Sequence, residues 1–328
     1  MKAELFIAGE SGTEIYIPAV EDGIEWSTER WGVPGKLTFR VLADHLLDFS
    51  EGSAVQLRVN GAKVFFGFVF TQKRDKENWI SVTAYDQLRY LKNKDTYLYE
   101  NRTASEVVKM IAADFALNVG EIEDTGYVIA ERSEMDTSLF DIIQNALDIT
   151  LVNTRQMFVL YDDFGSLTVK NIAGMYVQND NGTYLMIDET TGENFEYTSS
   201  IDSNTYNKIK LYQDDAKEGK RQVYGIMQDS ANINKWGVLQ YCDTVSEGEN
   251  GEAKAEALLS LYNKKTRNLR ITNAFGDVRV RAGSLLVVKL DLGDQKVENF
   301  MLVEKVKHTF RNGEHFMDLT LRGGEFVA

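Results

Sequence analysis

Histidine, cysteine and carboxylate side chains are the groups through which this chain could do chemistry, and their spacing limits what that chemistry is. The chain has three histidines, His45, His308 and His315, and one cysteine, Cys242. A serine or cysteine nucleophile needs a histidine beside it, and no such pairing is legible. His308 and His315 flank Arg311-Asn312-Gly313-Glu314, which reads as a hairpin turn. Across that turn they could face each other and hold a metal. No cysteine or third histidine completes a ligand set, so both are read as strand residues and no metal is expected. Carboxylates cluster at Glu121/Glu123/Asp124, Asp162/Asp163 and Asp214/Asp215. Glycoside hydrolysis needs only two carboxyls several ångströms apart, but a chain with 50 acids places such clusters in solvated turns freely. Gly35-Lys36 is followed by Leu37 and lacks the upstream glycine of a phosphate-binding loop. Asp163-Phe164-Gly165 spells a kinase triplet without a glycine-rich loop or His-Arg-Asp before it. It lies between the alternating runs Met157–Tyr161 and Ser166–Lys170, so it reads as a β-turn. No catalytic residue and no cofactor is expected.

These groups sit on a chain of 328 residues, enough for about two domains or for three or four small ones. Hydrophobic residues are 43%, which supplies packed cores and excludes wholesale disorder. The balance of 36 basic against 50 acidic residues, 36 − 50 = −14, repels a phosphate backbone, and no local basic face offsets it. Specific nucleic-acid binding is therefore not expected. One cysteine excludes an intrachain disulfide framework. Met1-Lys2-Ala3-Glu4-Leu5 lacks the pattern of a signal peptide. The longest apolar run, Val64–Phe70, is far short of the roughly 18 residues of a membrane helix, so membrane insertion is not expected. The chain is expected to fold in the cytoplasm.

The first ninety residues alternate as strands do: Leu37–Val41, Val55–Val59 closed by Asn60-Gly61, and Trp79–Tyr85. Val64–Phe70 is apolar throughout, which suggests a strand buried on both faces, as in a barrel or an interface. Between 100 and 150 the period changes. Thr103-Ala104-Ser105-Glu106 is a capping box, and Val107, Ile111 and Phe115 follow on one helical face. A second helix begins near Thr137 with Leu139, Ile142, Ile143, Ala146 and Leu147 as its stripe. Hairpins resume over 155–198, with turns at Asp162–Gly165 and Asn179–Gly182. Another β stretch starts near Asn207, and a helix at about 252–265 follows the polar loop Ser246–Gly251.

A weak internal repeat ties the two ends together. With Gly52-Ser53 placed on Gly283-Ser284, Val55, Leu57 and Val59 fall on Leu286, Val288 and Leu290. Leu37-Thr38-Phe39 then matches Leu269-Arg270-Ile271. Ile80–Ala84 matches Met317–Leu321 after an insertion of six that hairpin loops can absorb. The fold class expected is mainly β (α+β), with two similar tube-like β-barrels and small helical and β-hairpin insertions. The boundaries are 1–95 for the first barrel, 96–152 for the helical insert, 153–199 for the hairpin domain and 200–328 for the second barrel. Closed barrels remove exposed edges. Three copies of a two-barrel chain around a cyclic axis would present six similar units.

The chain resembles the baseplate hub proteins of contractile phage tails and phage-tail-like bacteriocins, of the XkdQ/YqbQ type, over essentially its whole length. The resemblance is carried by Gly67-Phe68-Val69 leading into Thr83–Leu91, by Thr103–Val108, by Asp229–Ile233 before Trp236–Gln240, and by His308-Thr309-Phe310 with Gly313-Glu314-His315. It implies a homotrimeric, non-enzymatic ring with pseudo-six-fold barrels. One side of that ring would dock a trimeric central spike protein. The other would seat the tail tube or a tube-initiator protein, with baseplate wedge components at the periphery. It also implies assembly in the host cytoplasm before incorporation into a virion or tail-like particle. Alternatives are a peptidoglycan hydrolase using paired carboxylates and another β-rich tail or secretion-system module. Candidate tube contacts lie in the hairpins around Phe65–Thr71 and Phe300–Val306, with Phe66, Phe68 and Phe300 as their aromatics. Trp31 and Trp236, each beside a glycine, are candidate interface anchors, since tryptophan is enriched at binding hot spots.

Overall fold

Alternating apolar residues give each strand one face to bury, and a computed structural model of the chain shows what each face is buried against. It describes residues 1–44, 46–179, 181–202, 205–215, 220–245, 250–293 and 295–323, without the side chains of Asp214, Asp215 and Lys220. His45, the Asp214/Asp215 carboxylates and residues 246–249 of the expected polar loop therefore lie outside the described residues.

The fold is mainly β. One 13-stranded sheet runs through Asn194–Ser200, Thr266–Phe275, Glu314–Arg322, Lys296–Arg311, Ile24–Glu29, Lys36–Leu42, Trp79–Tyr85, Ala62–Arg74, Ala54–Val59, Ala3–Ala8 and Ile15–Tyr16, each strand beside the next. Leu285–Asp291 pairs antiparallel with the first part of Lys296–Arg311 and parallel with Met186–Asp188. Strict alternation buries Val55, Leu57 and Val59 on one strand and Ile80, Val82 and Ala84 on another. They share a core with Leu37, Phe39, Val41 and, from the far end of the chain, Phe310. The apolar run Val64–Phe70 lies on the Ala62–Arg74 strand. Val64, Phe65, Gly67 and Val69 are buried, and Phe66, Phe68 and Phe70 form a half-buried second face. Gly67 cannot carry a side chain, because a Cβ there would lie 2.2 Å from the Tyr85 carbonyl oxygen.

Both expected helices form where their signals stand. Thr103 caps Ala104–Asp114, accepting from the Glu106 N–H while Glu106 accepts from the Thr103 N–H, a complete capping box. Ser138 caps Leu139–Thr154, whose Leu139, Ile142, Ile143, Ala146 and Leu147 are all buried. Their stripes pack with Phe158, Leu167 and Val169 of the Phe158–Asp162 and Leu167–Asn171 hairpin in one core. Two short helices cannot bury their apolar faces alone, and the hairpin supplies the missing surface.

Residues group into two compact units, Met1–Glu196 with Arg270–Gly323, and Tyr197–Leu269. This grouping cuts across chain order. Arg270–Gly323 joins the N-terminal unit because Lys305–Phe310 pairs directly with Ile24–Glu29. In the other unit, Lys208–Asp215 lies between Lys220–Gln228 and Gln240–Thr244, antiparallel to the first and parallel to the second. Helix Gly251–Tyr262 stands where a helix was expected, and its Ala255 packs on Ile209, Leu211 and Val245. A further short helix, Ser230–Trp236, lies between Lys220–Gln228 and Gln240–Thr244 in the chain. Its only advance signal is Asp229, whose carboxylate caps Ala231 and Asn232.

Candidate interaction surfaces and buried charge sites

The matched glycine–serine pairs of the sequence adopt the same corner. Gly52 and Gly283 both have φ +94°, a left-handed value that favours glycine. The Gly52 N–H donates to the Val69 carbonyl at 2.8 Å, and the Gly283 N–H to the Val303 carbonyl at 2.8 Å. Val69 and Val303 in turn donate to the carbonyls of Ser53 and Ser284, both at 2.9 Å. Each serine hydroxyl accepts from the residue three before it, Ser50 at 3.2 Å and Arg281 at 3.0 Å. Directly after Val69 and Val303 the pairing register slips, by the same step in both copies: Val69 opposes Ala84 and Thr71 opposes Thr83, as Val303 opposes Leu321 and Lys305 opposes Thr320. Ala84 and Leu321 are thus equivalent, as the sequence match requires.

The 16-residue strand Lys296–Arg311 carries a joint between the ends of the chain. Its second half pairs with Ile24–Glu29, in register from Lys305 opposite Glu29 to Phe310 opposite Ile24. Arg30 and Glu304 close one end of this joint in a two-pronged ion pair. Nε lies 2.7 Å from Oε2, one guanidinium nitrogen lies 2.8 Å from Oε1, and both side chains are almost fully buried. Lys305 pairs with Glu29 and Lys307 with Glu25 on the exposed side. Thr28 accepts from the Ala282 N–H at 2.9 Å. His308 stacks on Trp26 with ring centres 4.6 Å apart.

His308 and His315 do face each other across their turn. His308 Nδ1 and His315 Nε2 are 2.8 Å apart, and His308 Nε2 is 2.9 Å from the Val280 carbonyl. The carbonyl can only accept, so His308 donates from Nε2 and its Nδ1 accepts from His315. Each inward nitrogen is occupied by the other ring. Burial holds both imidazoles neutral, His308 down to about 3 and His315 down to about 4.

The Glu121/Glu123/Asp124 cluster is spent on backbone and lysine. Glu121 pairs with Lys170, Glu123 accepts from the Asn171 N–H, and Asp124 accepts from the Gly126 N–H. Asp162 is different. Its Oδ1 accepts from Gly165 within the expected β-turn, while its Oδ2 is buried without a hydrogen bond. Burial raises its pKa to about 6, and raises that of the buried Asp86 well above the usual range, with the Asp162 charge adding to the effect. Arg281 donates to the Asp162 carbonyl and lies over the Tyr161 ring at 4.0 Å. The void among Asp86, Asp162 and Arg281 is only about 10 Å³, too small for a sugar. A carboxyl whose folded pKa is raised weakens the fold as pH rises through about 4 to 6. Asp162→Asn is therefore expected to raise the urea midpoint at pH 8 by the equivalent of about 1–2 kcal/mol and to change it little at pH 4. Equal effects at both pH values would show that the carboxylate charge is not the cause.

The candidate interface aromatics fall into separate places. Phe66, Phe68 and Phe70 point to one side of their strand and meet Phe164, Tyr85 and Tyr90, with ring centres 5.5–6.3 Å apart. Phe300, 40% exposed, forms a second cluster with Tyr176 and Tyr184 at 4.9 and 4.8 Å. Trp31, also 40% exposed, lies under the Arg30 guanidinium at 4.3 Å. Trp236 is half-buried at the end of its short helix. Sequence reasoning passed over Arg30 and Glu304, since each reads as an ordinary surface charge.

A family model described as YqbQ-like matches residues 24–322. The chain belongs to the YqbQ-like family. It is 30% identical to the uncharacterized protein YqbQ of Bacillus subtilis, over 96% of this chain and 95% of that protein. It is 28% identical, over the same shares, to the phage-like element PBSX protein XkdQ of that organism. Its fold is shared with the 43 kDa tail protein of prophage MuSo2 from Shewanella oneidensis, with a TM-score of 0.67, 12% identity, and coverage of 97% of this chain and 98% of that one. Within the family's matched span lie both glycine–serine corners and the joint made by Lys305–Phe310.

Proposed function

We propose that this chain is a structural baseplate hub of a contractile phage tail or tail-like particle. The observation that carries the reading is the glycine–serine corner, which recurs with the same φ and the same set of hydrogen bonds in both halves of the sheet. Two such halves per chain suit a part that joins assemblies of different symmetry. Three copies form a ring in which six similar barrels alternate. The three-fold face receives a trimeric spike, and the pseudo-six-fold face seats a hexameric tube or tube initiator. Wedge components contact the rim. The first barrel is assigned to residues 1–95 and the second to 200–328, with its repeated strands at Thr266–Arg322. The work of such a part is positional, so the role is non-enzymatic, carried out first in the host cytoplasm and then in the particle. The names of the relatives, a phage-like element protein and a prophage tail protein, support a tail role.

Electron microscopy of the chain, alone and co-produced with a trimeric spike subunit, tests the reading. A three-fold ring with six inner lobes and a central hole is expected. Discrete monomers or dimers under both conditions would overturn it.

A further inference from the structure

We infer that one buried water molecule bridges Asp162 Oδ2 and Arg281 Nε. The Asp162–Gly165 turn is then held to the Gly283-Ser284 corner through solvent as well as by direct contact.

Arg281 already reaches this turn with its other nitrogens. Nη2 donates to the Asp162 carbonyl at 2.6 Å, Nη1 stands 3.9 Å from an Asp163 carboxylate oxygen, and the guanidinium lies 4.0 Å from the centre of the Tyr161 ring. The backbone is anchored on both sides of the arm. The Arg281 N–H donates to the Ser284 hydroxyl at 3.0 Å, and the Ala282 N–H to the Thr28 hydroxyl at 2.9 Å. Nε is buried and has no hydrogen-bond partner among the described residues. Asp162 has the complementary deficit. Its Oδ1 accepts from the Gly165 N–H at 2.6 Å, whereas Oδ2 is buried without a partner on a residue only 5% exposed. Folded chains pair nearly all such groups, because a buried donor or acceptor left alone keeps its full desolvation penalty. Here one donor and one acceptor belong to two side chains that line the same void.

That void is about 10 Å³, close to the room one water needs. Size excludes a larger ligand, and chemistry excludes the other small ones. The bridging group must accept from Nε–H and donate to Oδ2. A monovalent cation binds only the carboxylate and is repelled by the guanidinium. An anion takes only the N–H and faces two carboxyls, Asp162 and Asp86. Water accepts and donates at once. Asp86, 4% exposed, offers a third contact. Its Oδ1 accepts from the Leu88 N–H at 3.1 Å and its Oδ2 from the Gly35 N–H at 2.9 Å, and each oxygen keeps a lone pair. Gly35 has to be glycine for this approach, since a Cβ there would lie 2.3 Å from Asp86 Oδ2. Gln87 also stands near Asp162, but Asn118 engages its amide on both sides, at 3.1 and 3.0 Å. A water with two or three polar partners is as much a part of a fold as a direct bond. This one joins side chains 119 positions apart.

A high-resolution crystal structure of the full chain at pH 8, where Asp162 is ionised, tests the bridge. One spherical peak is expected within hydrogen-bond reach of both Oδ2 and Nε. It should refine as a fully occupied water and stay free of anomalous signal after a soak in rubidium chloride. In solution, magnetic relaxation dispersion of the water oxygen should count one long-lived water fewer in Arg281→Lys, which keeps the charge and loses the Nε–H. Circular dichroism establishes that this variant folds, and the parent crystal decides the question if it does not. An empty void, a direct contact between Oδ2 and Nε, a Gln87 amide turned onto Oδ2 or an anomalous rubidium peak would each overturn the bridge. So would an unchanged count of long-lived waters in folded Arg281→Lys.

Discussion

Glu304→Ala is expected to destabilise the chain by about 3–5 kcal/mol, because it leaves the Arg30 guanidinium buried without its carboxylate. Arg30 is held by both oxygens of Glu304, at 2.7 and 2.8 Å, and the two backbones are joined by the Arg30 N–H to the Glu304 carbonyl at 2.9 Å. Arg30→Ala should cost less, since Arg322 stands 3.5 Å from Glu304 and is partly open to water. Replacing both with leucine should recover most of the loss. Desolvating two charges consumes much of what their attraction returns, and apolar residues of similar volume avoid that cost. Urea unfolding of the two single variants and the double variant closes the cycle, with a coupling of several kcal/mol expected. A Glu304→Ala loss below about 1 kcal/mol would show that the pair contributes no more than a surface ion pair. The location gives this result its weight. These two residues stand 274 positions apart and fasten Lys296–Arg311 to the end of Ile24–Glu29.

The second large effect is loss of stability in mild acid. The folded chain holds His308 at about 3 and His315 at about 4, whereas an unfolded histidine titrates near 6.5. As pH falls below 6.5 the unfolded chain takes up protons that the folded chain refuses, so stability is lost on acidification. At pH 5 each histidine contributes about 2 kcal/mol of loss, roughly 4 kcal/mol for the pair. Asp162 and Asp86 oppose this, since their raised pKa values let the folded state take up protons as the pH falls. Between pH 7 and pH 5 the parent should therefore lose about 4 kcal/mol more than a variant lacking both histidines. His308→Phe with His315→Phe should flatten the profile. The double variant gives up the bond to the Val280 carbonyl and should be weaker than the parent at pH 8 by about 1–3 kcal/mol. Urea midpoints at pH 8, 7, 6 and 5 measure both. A parent profile no steeper than that of the double variant would refute the buried pair as its cause.

Much of this could be read from residue order alone. Period two marked the strands, and the Thr103–Glu106 box and the stripe from Leu139 to Leu147 placed two helices. Gly52-Ser53 and Gly283-Ser284 marked one corner twice, since a left-handed turn followed by a buried hydroxyl leaves a local trace in the sequence. The facing of His308 and His315 followed from a two-residue turn at Asn312-Gly313. Local chemistry sufficed for each of these, because caps, turns and alternation depend on neighbours a few residues away.

Which strand lies beside which did not follow. Alternation reports the face a strand buries and is silent about its edge, because every backbone offers the same N–H and C=O groups. Only the tertiary structure joined Lys305–Phe310 to Ile24–Glu29 and grouped Arg270–Gly323 with the N-terminal unit. The same limit hid Arg30 and Glu304, whose burial depends on contacts 274 residues apart that no local pattern encodes.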